Sequence, residues 1–411
     1  MTVVDTPASL ATGYLYAAAA RHAEESERSG RLHPEVVTAM TAAGLARHFV
    51  PRRWGGRAGG FAELLDTVAE VGTACASTAW CGALLAAHGR LAAHLPVEGQ
   101  RELWGDSPDT RVAAAVVPPA GRLRRVPGGW RLSGEWAFAS GVEDAEWVLL
   151  ASLDHSEAGA PGYRVLAVPR ERVRIRETWD AVGLRATGSH GVVIEEAAEV
   201  FVPEHRTFLR ETLVTGVVTG AVDPGEGAAG TVAGGTPGDV PAEVAPCHRV
   251  PYQLVASLQF AAPALGAARG ALEAWTLMTG LRRLPDGRPL TEDPVVQQTL
   301  SRSAAEIDAA HLLLKAAATR ADGWPGGAAG AGARDAREVV TALNQRDAAV
   351  AVDLLVGAVE RLMRAGGARG LIAGGGLERA WRDVHAIAAH AALQPAPAAA
   401  AYAATVFPTS P

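Results

Sequence analysis

Apolar residues recur at helical spacing through the first hundred positions of the chain. The stretch from Phe61 to Ala74 places them every three to four residues, and the stretch from Ser77 to Leu95 does the same. Pro34 and Gly44 mark the start and the end of an earlier helix. This pattern predicts an N-terminal α-helical domain over residues 1–108.

Near residue 110 the pattern changes to short runs of strand-forming residues. Turn residues bound each run, and Gly128-Gly129 forms a two-residue hairpin turn between two of them. The runs cover residues 111–117, 122–126, 130–138, 147–152, 163–168 and 192–202. Short strands without intervening helices predict an antiparallel β-barrel or β-sandwich as a middle domain over residues 109–210.

Helical spacing returns after a stretch of low complexity. Residues 211–249 are rich in glycine and proline, which predicts a mobile loop or linker. Beyond it lie four long segments, each with one apolar face, near residues 252–281, 293–322, 334–366 and 377–392. They predict a four-helix bundle over residues 250–411, so the expected fold class is α+β, with a β-domain between two helical domains.

The composition excludes several classes of protein. With 48% hydrophobic residues in 411, the chain is not wholly disordered, and a net charge of −6 offers no basic surface for nucleic acid or an anionic membrane. No run approaches the roughly 18 apolar residues of a membrane span, and the N-terminus lacks a secretory signal pattern. Three scattered cysteines fit a reducing compartment. We therefore expect a cytoplasmic protein that binds neither nucleic acid nor membrane.

Several common catalytic motifs are missing from the sequence. Residues 327–332 are glycine-rich, but no strand precedes them and the third glycine of the dinucleotide fingerprint is absent, so we expect no Rossmann site for NAD(P). No Gly-x-Ser-x-Gly elbow of a hydrolase occurs. His385 and His390 diverge by about 140° around a helix, so we expect no metal site at this pair.

Two polar segments and one histidine have residue types that suit catalysis or binding, but their spacing alone does not distinguish these roles from structural ones. Ser140 ends a strand in a turn of small residues, where its hydroxyl could bond the edge of a flat heteroaromatic ring or simply cap the strand. The segment from Trp179 to His190 is a polar loop before a strand. His390 follows Asp383 by two helical turns, and a lone helical histidine is more often structural than catalytic.

Six segments in register give the chain a specific resemblance. Together they resemble the acyl-CoA dehydrogenase superfamily from about residue 15 to residue 405, apart from residues 211–247. The segments are Val50-Pro-Arg-Arg-Trp-Gly-Gly56, Ser77-Thr-Ala-Trp80, Ser133-Gly-Glu-Trp136-Ala-Phe-Ala-Ser140-Gly141, Gly183-Leu-Arg-Ala-Thr-Gly-Ser189, Gly266-Ala-Ala-Arg-Gly270-Ala-Leu and Glu378-Arg-Ala-Trp-Arg382-Asp383. Within the superfamily, the chain is most similar to the two-component flavin monooxygenases, such as p-hydroxyphenylacetate hydroxylase oxygenase components and dibenzothiophene monooxygenases.

The residues that follow the last of these segments separate two activities within the superfamily. Common acyl-CoA dehydrogenases carry a catalytic glutamate soon after the Arg-Asp pair, and the corresponding position here is Ala391, which cannot abstract a proton. His390 stands where the monooxygenases carry a histidine beside the flavin. Because some dehydrogenases supply the base from another helix, an FAD-dependent acyl-CoA dehydrogenase stays open as an alternative.

The resemblance implies an enzyme that takes reduced FMN or FAD from a separate NAD(P)H-dependent flavin reductase. Reaction with O₂ would give a C4a-hydroperoxyflavin, which hydroxylates a small aromatic or polyketide-like molecule. The resemblance also implies a homo-oligomer, a tetramer or at least a dimer. Two further alternatives are an N-oxygenase (nitrososynthase) acting on an amino sugar and a scaffold that binds no flavin.

The resemblance further implies roles for individual residues. His390 would donate a hydrogen bond to the flavin peroxide, and Ser140 would bond the flavin near N5; we predict both as catalytic residues and flavin contacts. The other implied flavin contacts are Phe138, Arg382 and Arg282, of which Arg282 would reach the flavin phosphates, often across a subunit interface. The implied substrate contacts are Trp80, His88 and Ser189.

Overall fold

The computed structural model describes residues 9–155, 162–216, 244–325 and 331–407. Within these ranges the chain forms helices, then strands, then helices, which confirms the predicted α+β order. The predicted domain boundary at residues 108–109 falls between the last N-terminal helix and the first strand.

Five helices make up the N-terminal domain: α1 (Ser9–Ser29), α2 (Pro34–Ala42), α3 (Phe61–Ala74), α4 (Ala76–Ala92) and α5 (Val97–Trp104). Helix α3 begins and ends where its apolar spacing predicts, and Cys75 in extended conformation separates it from α4. Helix α4 is buried along almost its whole length because it lies between α3, the C-terminal helix α8 (Tyr252–Gly280) and the first strand. This buried helix carries Trp80 and His88.

The middle domain consists of two sheets. Its strands are β1 (Val112–Ala115), β2 (Arg122–Val126), β3 (Gly129–Ala139), β4 (Trp147–Asp154), β5 (Gly162–Pro169), β6 (Arg174–Arg176), β7 (His190–Ile194), β8 (Val200–Pro203) and β9 (Thr207–Leu209). One sheet has the order β1-β4-β5-β9, and the other has the order β2-β3-β7-β6 with β8 also pairing with β3. Most pairs are antiparallel as predicted, and β1 pairs with β4 in parallel.

One predicted strand is two strands in the structure. The run at residues 192–202 divides into β7 and β8, separated by a 3-10 turn at Glu196–Ala198. The acidic residues in and around this turn form ion pairs with arginines of β2 and β6 at the surface, namely Glu195, Glu196 and Glu199. Charged residues that stay solvated cannot continue a buried strand, so the chain breaks there.

The C-terminal domain contains the four predicted long helices as α8 (Tyr252–Gly280), α9 (Pro294–Asp322), α10 (Ala331–Gly366) and α11 (Gly376–Ala388). Three shorter helices were not predicted: α6 (Arg210–Thr215), α7 (Pro246–Arg249) and α12 (Pro395–Val406). The predicted loop over residues 211–249 therefore has helices at both ends, while its residues 217–243 lie outside the described residues. Most of the glycine-rich stretch at residues 327–332 also lies outside them.

Helix α8 is the central element that joins the helical domains. It packs against α3 and α4 on one side and against α9, α10 and α11 on the other. A side chain at Gly266 would place its Cβ 2.4 Å from the carbonyl oxygen of Ala69, so glycine permits the close approach of α8 to α3. In the described ranges, no helix combines the length and the apolar character needed to cross a membrane.

Candidate active site

The end of strand β3 is irregular beside Ser140. Its register with β7 shifts between Trp136 and Ala139, and Phe138 adopts a left-handed φ of 62°, which is strained for a residue with a side chain. Phe138 is 68% exposed, and its ring meets the Trp179 ring edge-on, with centroids 6.2 Å apart. An exposed aromatic residue therefore lies two positions before Ser140 at the end of the strand.

Ser140 belongs to a chain of buried hydrogen bonds. Its Oγ accepts from Trp80 Nε1 at 3.1 Å and lies 2.6 Å from Ser189 Oγ. Ser189 Oγ in turn lies 2.7 Å from Thr187 Oγ1, which donates to the carbonyl oxygen of Leu184 at 2.9 Å. We call Ser140, Ser189 and Thr187 the hydroxyl relay. The structure thus brings three predicted site residues together, Trp80, Ser140 and Ser189.

His390 stands against two aromatic rings of the helical domains. Its ring stacks on Phe260 of α8 with centroids 3.7 Å apart, and it lies 5.8 Å from the ring of Trp80 of α4. The rings of Trp80 and Phe260 are 5.2 Å apart. We call Trp80, Phe260 and His390 the aromatic wall. Since Trp80 also bonds Ser140, the aromatic wall and the hydroxyl relay meet at one place.

The hydrogen bonds of His390 fix its tautomer. Its Nδ1 accepts from the backbone N–H of Ala392 at 3.2 Å and so caps the 3-10 turn at Ala391–Leu393. A neutral ring must then carry its proton on Nε2. Burial lowers the pKa of His390 to about 4, so the ring is neutral at pH 7. Across the described residues, Nε2 has no acceptor, and it is available to donate to a bound molecule.

Helix α11 holds the two parts of the site together. The buried carboxylate of Asp383 accepts from the backbone N–H of Leu184 at 2.6 Å, directly beside the end of the hydroxyl relay. A Cβ on Gly183 would lie 2.3 Å from the carbonyl oxygen of Arg382, so this glycine permits the contact. The predicted helix near residues 377–392 ends at Ala388, so His390 is not helical and instead starts the 3-10 turn that follows, which its ring caps.

His88 lies two turns after Trp80 on α4 and lines a narrow crevice that also contains Ser140, Cys81 and Leu85. Its Nδ1 donates to the carbonyl oxygen of Val112 at 2.9 Å, since a carbonyl can only accept. Burial lowers the pKa of His88 to about 4, so the ring is neutral, and among the residues that the structure describes none donates to the lone pair on its Nε2. The crevice shares Arg111 and Asp144 with a wider groove between α2 and the start of the β-domain.

Neither of the two arginines predicted as flavin contacts belongs to the aromatic wall or the hydroxyl relay. The guanidinium of Arg382 pairs with Glu378 and with Glu27 of α1 and donates to the carbonyl oxygen of Val182, so all three of its nitrogens are engaged within this chain. Arg282 follows the end of α8. Gly280 lies 20 positions after Phe260 on α8, a rise of about 30 Å, so Arg282 is remote from the aromatic wall of its own chain.

One cluster of potential metal ligands was not predicted. His22, Glu25 and His33 bring a ligand atom each to within 4.8 Å of one another. The two imidazoles stack with centroids 3.7 Å apart and planes 2° from parallel. Ring nitrogens bind a metal in the plane of their ring, and two parallel planes do not converge on one ion. His22 instead pairs with Glu35 at 2.8 Å.

Four residues of the site were missed by sequence reasoning alone. Phe260 is one of many apolar positions on α8, and its spacing is that of a core residue. Thr187 and Trp179 lie in a polar loop whose three-dimensional path the sequence does not specify. Asp383 was named as the last residue of one segment of the resemblance, and no role was predicted for its carboxylate, which accepts from Leu184. The available signal was that Leu184 belongs to another segment of the same resemblance.

Comparison with known proteins follows the same domain order. The N-terminal domain model of acyl-CoA dehydrogenases matches residues 9–103, and the C-terminal domain model matches residues 258–395. A FADH(2)-dependent resorcinol hydroxylase, oxygenase component, from Rhizobium sp. is 32% identical over 92% of this chain and 88% of its own length. The chain belongs to the flavin-dependent monooxygenases of the acyl-CoA dehydrogenase fold.

Solved structures agree with this assignment. The 3-HSA hydroxylase from Rhodococcus sp. RHA1 superposes with a TM-score of 0.83 at 25% identity, covering 99% of both chains. XiaF from Streptomyces sp., solved in complex with FADH2 and glycerol, gives 0.82 at 25% identity and covers 98% of both. This monooxygenase is an oxygenase component that uses reduced flavin, and it depends on a separate flavin reductase to supply it.

Proposed function

We propose that this monooxygenase hydroxylates a phenol or a related aromatic small molecule, with reduced flavin bound between the aromatic wall and the hydroxyl relay. The observation that carries the proposal is the pair of polar groups presented there, the Nε2–H of His390 and the Oγ of Ser140. One is a neutral donor and the other belongs to a buried hydrogen-bond chain. When bound, the flavin supplies the activation of O₂.

The residues present fit a flat heteroaromatic cofactor. The exposed Phe138 offers an aromatic ring for stacking near Ser140, and Trp179 supports that ring from its side. Phe138 keeps a strained left-handed backbone, and such strain persists where the surrounding structure holds a functional conformation. Phe138 and Ser140 would hold the ring system, and His390 would face it from the helical side.

His390 would act as a hydrogen-bond donor to the reacting oxygen. Its proton is on Nε2, and the rings of Phe260 and Trp80 exclude water from one side of the imidazole. A donor fixed in advance in a dry site stabilises developing negative charge better than water does, since it does not reorient during the reaction.

His88 would recognise the hydroxyl group of the substrate. His88 lines the same crevice as Ser140, and a neutral imidazole nitrogen accepts the O–H of a phenol. The groove that shares Arg111 and Asp144 with this crevice supplies a route from solvent. The name of the Rhizobium relative, a resorcinol hydroxylase, supports a phenolic substrate.

A second copy of the chain would complete the cofactor site. Arg282 is too far from the aromatic wall of its own chain to touch the same flavin, and exposed leucines flank it, Leu277 and Leu281. An apolar surface around an arginine suits an interface between copies. We therefore propose a homo-oligomer, a tetramer by the resemblance, in which Arg282 reaches the flavin phosphate of a neighbouring copy; light scattering measures its mass.

Among the described residues, no specific observation favours acyl-CoA dehydrogenation or N-oxygenation. Dehydrogenation needs a carboxylate base beside the flavin, and the position after His390 is Ala391. Among the described residues, His390 forms no ion pair with an acidic side chain, and burial alone accounts for its lowered pKa.

The test supplies the protein with FAD, NADH and a flavin reductase, and compares resorcinol with 1,3-dimethoxybenzene. We expect hydroxylated resorcinol, and a kcat/KM for the ether at least about 100-fold lower, because the ether cannot donate to His88. His88→Leu should reduce the difference in kcat/KM between resorcinol and the ether. His311→Leu, which replaces a histidine on α9 outside the site, should leave that difference unchanged. Equal turnover of phenol and ether, or bleaching of bound FAD by an acyl-CoA, would contradict the proposal.

A further inference from the structure

Within the described part of the chain, one carboxylate at the crevice beside Ser140 accepts no hydrogen bond. Asp144 ends the 3-10 turn Val142–Asp144 and lines both the crevice and the groove that leads to it. Its one side-chain partner among the described residues is Arg111, whose Nε donates to the backbone carbonyl oxygen of Asp144 and not to the carboxylate. Burial raises the pKa of Asp144, because water solvates its charge poorly. A bound group that donates to the carboxylate would offset this cost.

The charged neighbours of Asp144 do not supply that donor. Arg111 pairs through Nη2 with Glu146 at 2.5 Å, and Glu146 also accepts from the backbone N–H of Arg111 at 2.6 Å. The charges of Arg111 and Arg31 lower the pKa of Asp144, and those of Glu143 and Glu146 raise it. Two arginines and two glutamates thus offset each other around Asp144, and its carboxylate is left to a bound molecule.

A neutral donor suits this carboxylate better than a cation does. The crevice is narrow, and Leu32, Met40 and Leu85 give it apolar walls. An ammonium group would lose its hydration there, which costs more than the desolvation of a hydroxyl group. A hydrogen bond from a hydroxyl to a carboxylate is stronger than one between two neutral groups. The expected partner of Asp144 is therefore a hydroxyl group.

Asp144 is the second acceptor in a crevice that already contains His88. We propose that Asp144 is a specificity-determining residue that accepts a second hydroxyl group, so that the preferred substrate is an aromatic diol and not a simple phenol. The inference rests on the proposed function, in which the ring enters the crevice and its first hydroxyl donates to His88. A phenol with a single hydroxyl leaves one of the two acceptors without a donor, in whichever orientation it binds.

The test compares resorcinol with 3-methoxyphenol, which has one hydroxyl and a similar shape, in the presence of FAD, NADH and a flavin reductase. We expect kcat/KM for resorcinol to exceed that for 3-methoxyphenol by about 10-fold to 100-fold, the worth of a hydrogen bond to a charged group. In Asp144→Leu, which removes the acceptor, this ratio should fall to about twofold or less. Asp144→Asn, which keeps an uncharged acceptor, should give an intermediate ratio.

Matched variants separate contact with the substrate from a structural role. Glu143→Gln removes the exposed carboxylate that precedes Asp144 in the same turn, and it should leave the ratio unchanged. Damage to the fold would lower kcat/KM for both compounds together, and thermal unfolding verifies that each variant is folded. A native ratio within about twofold, or a ratio that Asp144→Leu leaves unchanged, would overturn the inference.

Two further outcomes would overturn the inference for different reasons. A preference for 3-(aminomethyl)phenol over resorcinol would show that Asp144 binds a cation, since this compound carries an ammonium group. If neither resorcinol nor 3-methoxyphenol is hydroxylated, the proposed function itself fails, and the role of Asp144 fails with it.

Discussion

The aromatic wall and the hydroxyl relay fix their polar groups by different means. On the helical side, burial against Phe260 and Trp80 keeps His390 neutral, and one backbone N–H from Ala392 forces its proton onto Nε2. On the β side the polar groups are hydroxyls, and a chain of hydrogen bonds from Trp80 to the carbonyl oxygen of Leu184 fixes their positions. The comparison teaches that burial sets the charge of a titratable ring, whereas neutral hydroxyls are placed by their hydrogen-bond partners.

The two regions also differ in how their positions are fixed. The aromatic wall consists of side chains from α4, α8 and the turn after α11, which pack in one helical core. The hydroxyl relay sits on a strand end and a loop, and it is tied to that core by Trp80 and by the bond from Leu184 to Asp383. Substitutions that remove the Trp80–Ser140 bond or the Leu184–Asp383 bond therefore test how the two regions depend on each other.

Replacing His390 is expected to have the largest effect. In His390→Asn, asparagine still caps the 3-10 turn, but its shorter side chain cannot present a donor where Nε2–H was. We expect the yield of hydroxylated product to fall by about 100-fold, the cost of losing a preorganised donor, while peroxide released per flavin oxidised rises. The measurement is product by mass spectrometry and peroxide by a coupled assay. An unchanged yield would mean that the aromatic wall supplies no donor.

Replacing Asp383 should change stability in a manner that depends on pH. Burial raises the pKa of Asp383 from 3.8 to about 6, so the folded state favours the protonated acid. Its contribution to stability is full below pH 3.8 and is lost as the pH rises through about 6. Relative to Asp383→Asn, which keeps an acceptor for Leu184, the native protein should lose about 1 kcal/mol of unfolding free energy between pH 5 and pH 7.

Urea unfolding of the native protein and of Asp383→Asn at both pH values measures the two changes in unfolding free energy. If the two proteins change by the same amount, Asp383 is not the titrating group.

Replacing Trp80 by phenylalanine is expected to have the smallest effect, which falls on flavin affinity. Trp80→Phe keeps an aromatic ring against Phe260 and His390 but removes the N–H that bonds Ser140. Because Ser140 keeps its bond to Ser189, the dissociation constant of reduced FAD should rise by no more than about fivefold, the worth of one hydrogen bond. Anaerobic titration with reduced FAD measures this constant, and a much larger loss of affinity would show that Trp80 itself contacts the flavin.

Local patterns predicted the main elements because they depend on neighbours in the chain. The apolar spacing of α3 gave both of its ends, and turn residues bounded β2 at both ends. The split of the run at residues 192–202 was not foreseen, since the exposure of Glu195, Glu196 and Glu199 depends on the arginines of distant strands. The short helices α6, α7 and α12 have too few turns to show a clear period.

For the candidate site, too, the sequence named residue types, and the structure determined which of the named residues lie together. His390, Ser140, Trp80 and Ser189 were named from segments that resemble a family, and the structure brings these four together. Arg382 was named from the same kind of segment, yet its guanidinium is engaged with Glu27, which is more than 350 positions away in the chain. Its role as a flavin contact, like that of Arg282, remains a prediction.

The sequence by itself determined the order of the domains, the absence of a carboxylate at position 391 and the residue types available for the site, because these depend on composition and local spacing. The tertiary structure decided which atoms of those residues can act. The tautomers of His88 and His390 follow from a carbonyl and an N–H supplied by the folded backbone. A proton's position depends on its nearest partner in space, and for His88 that partner is the carbonyl of Val112, which lies 24 positions further along the chain.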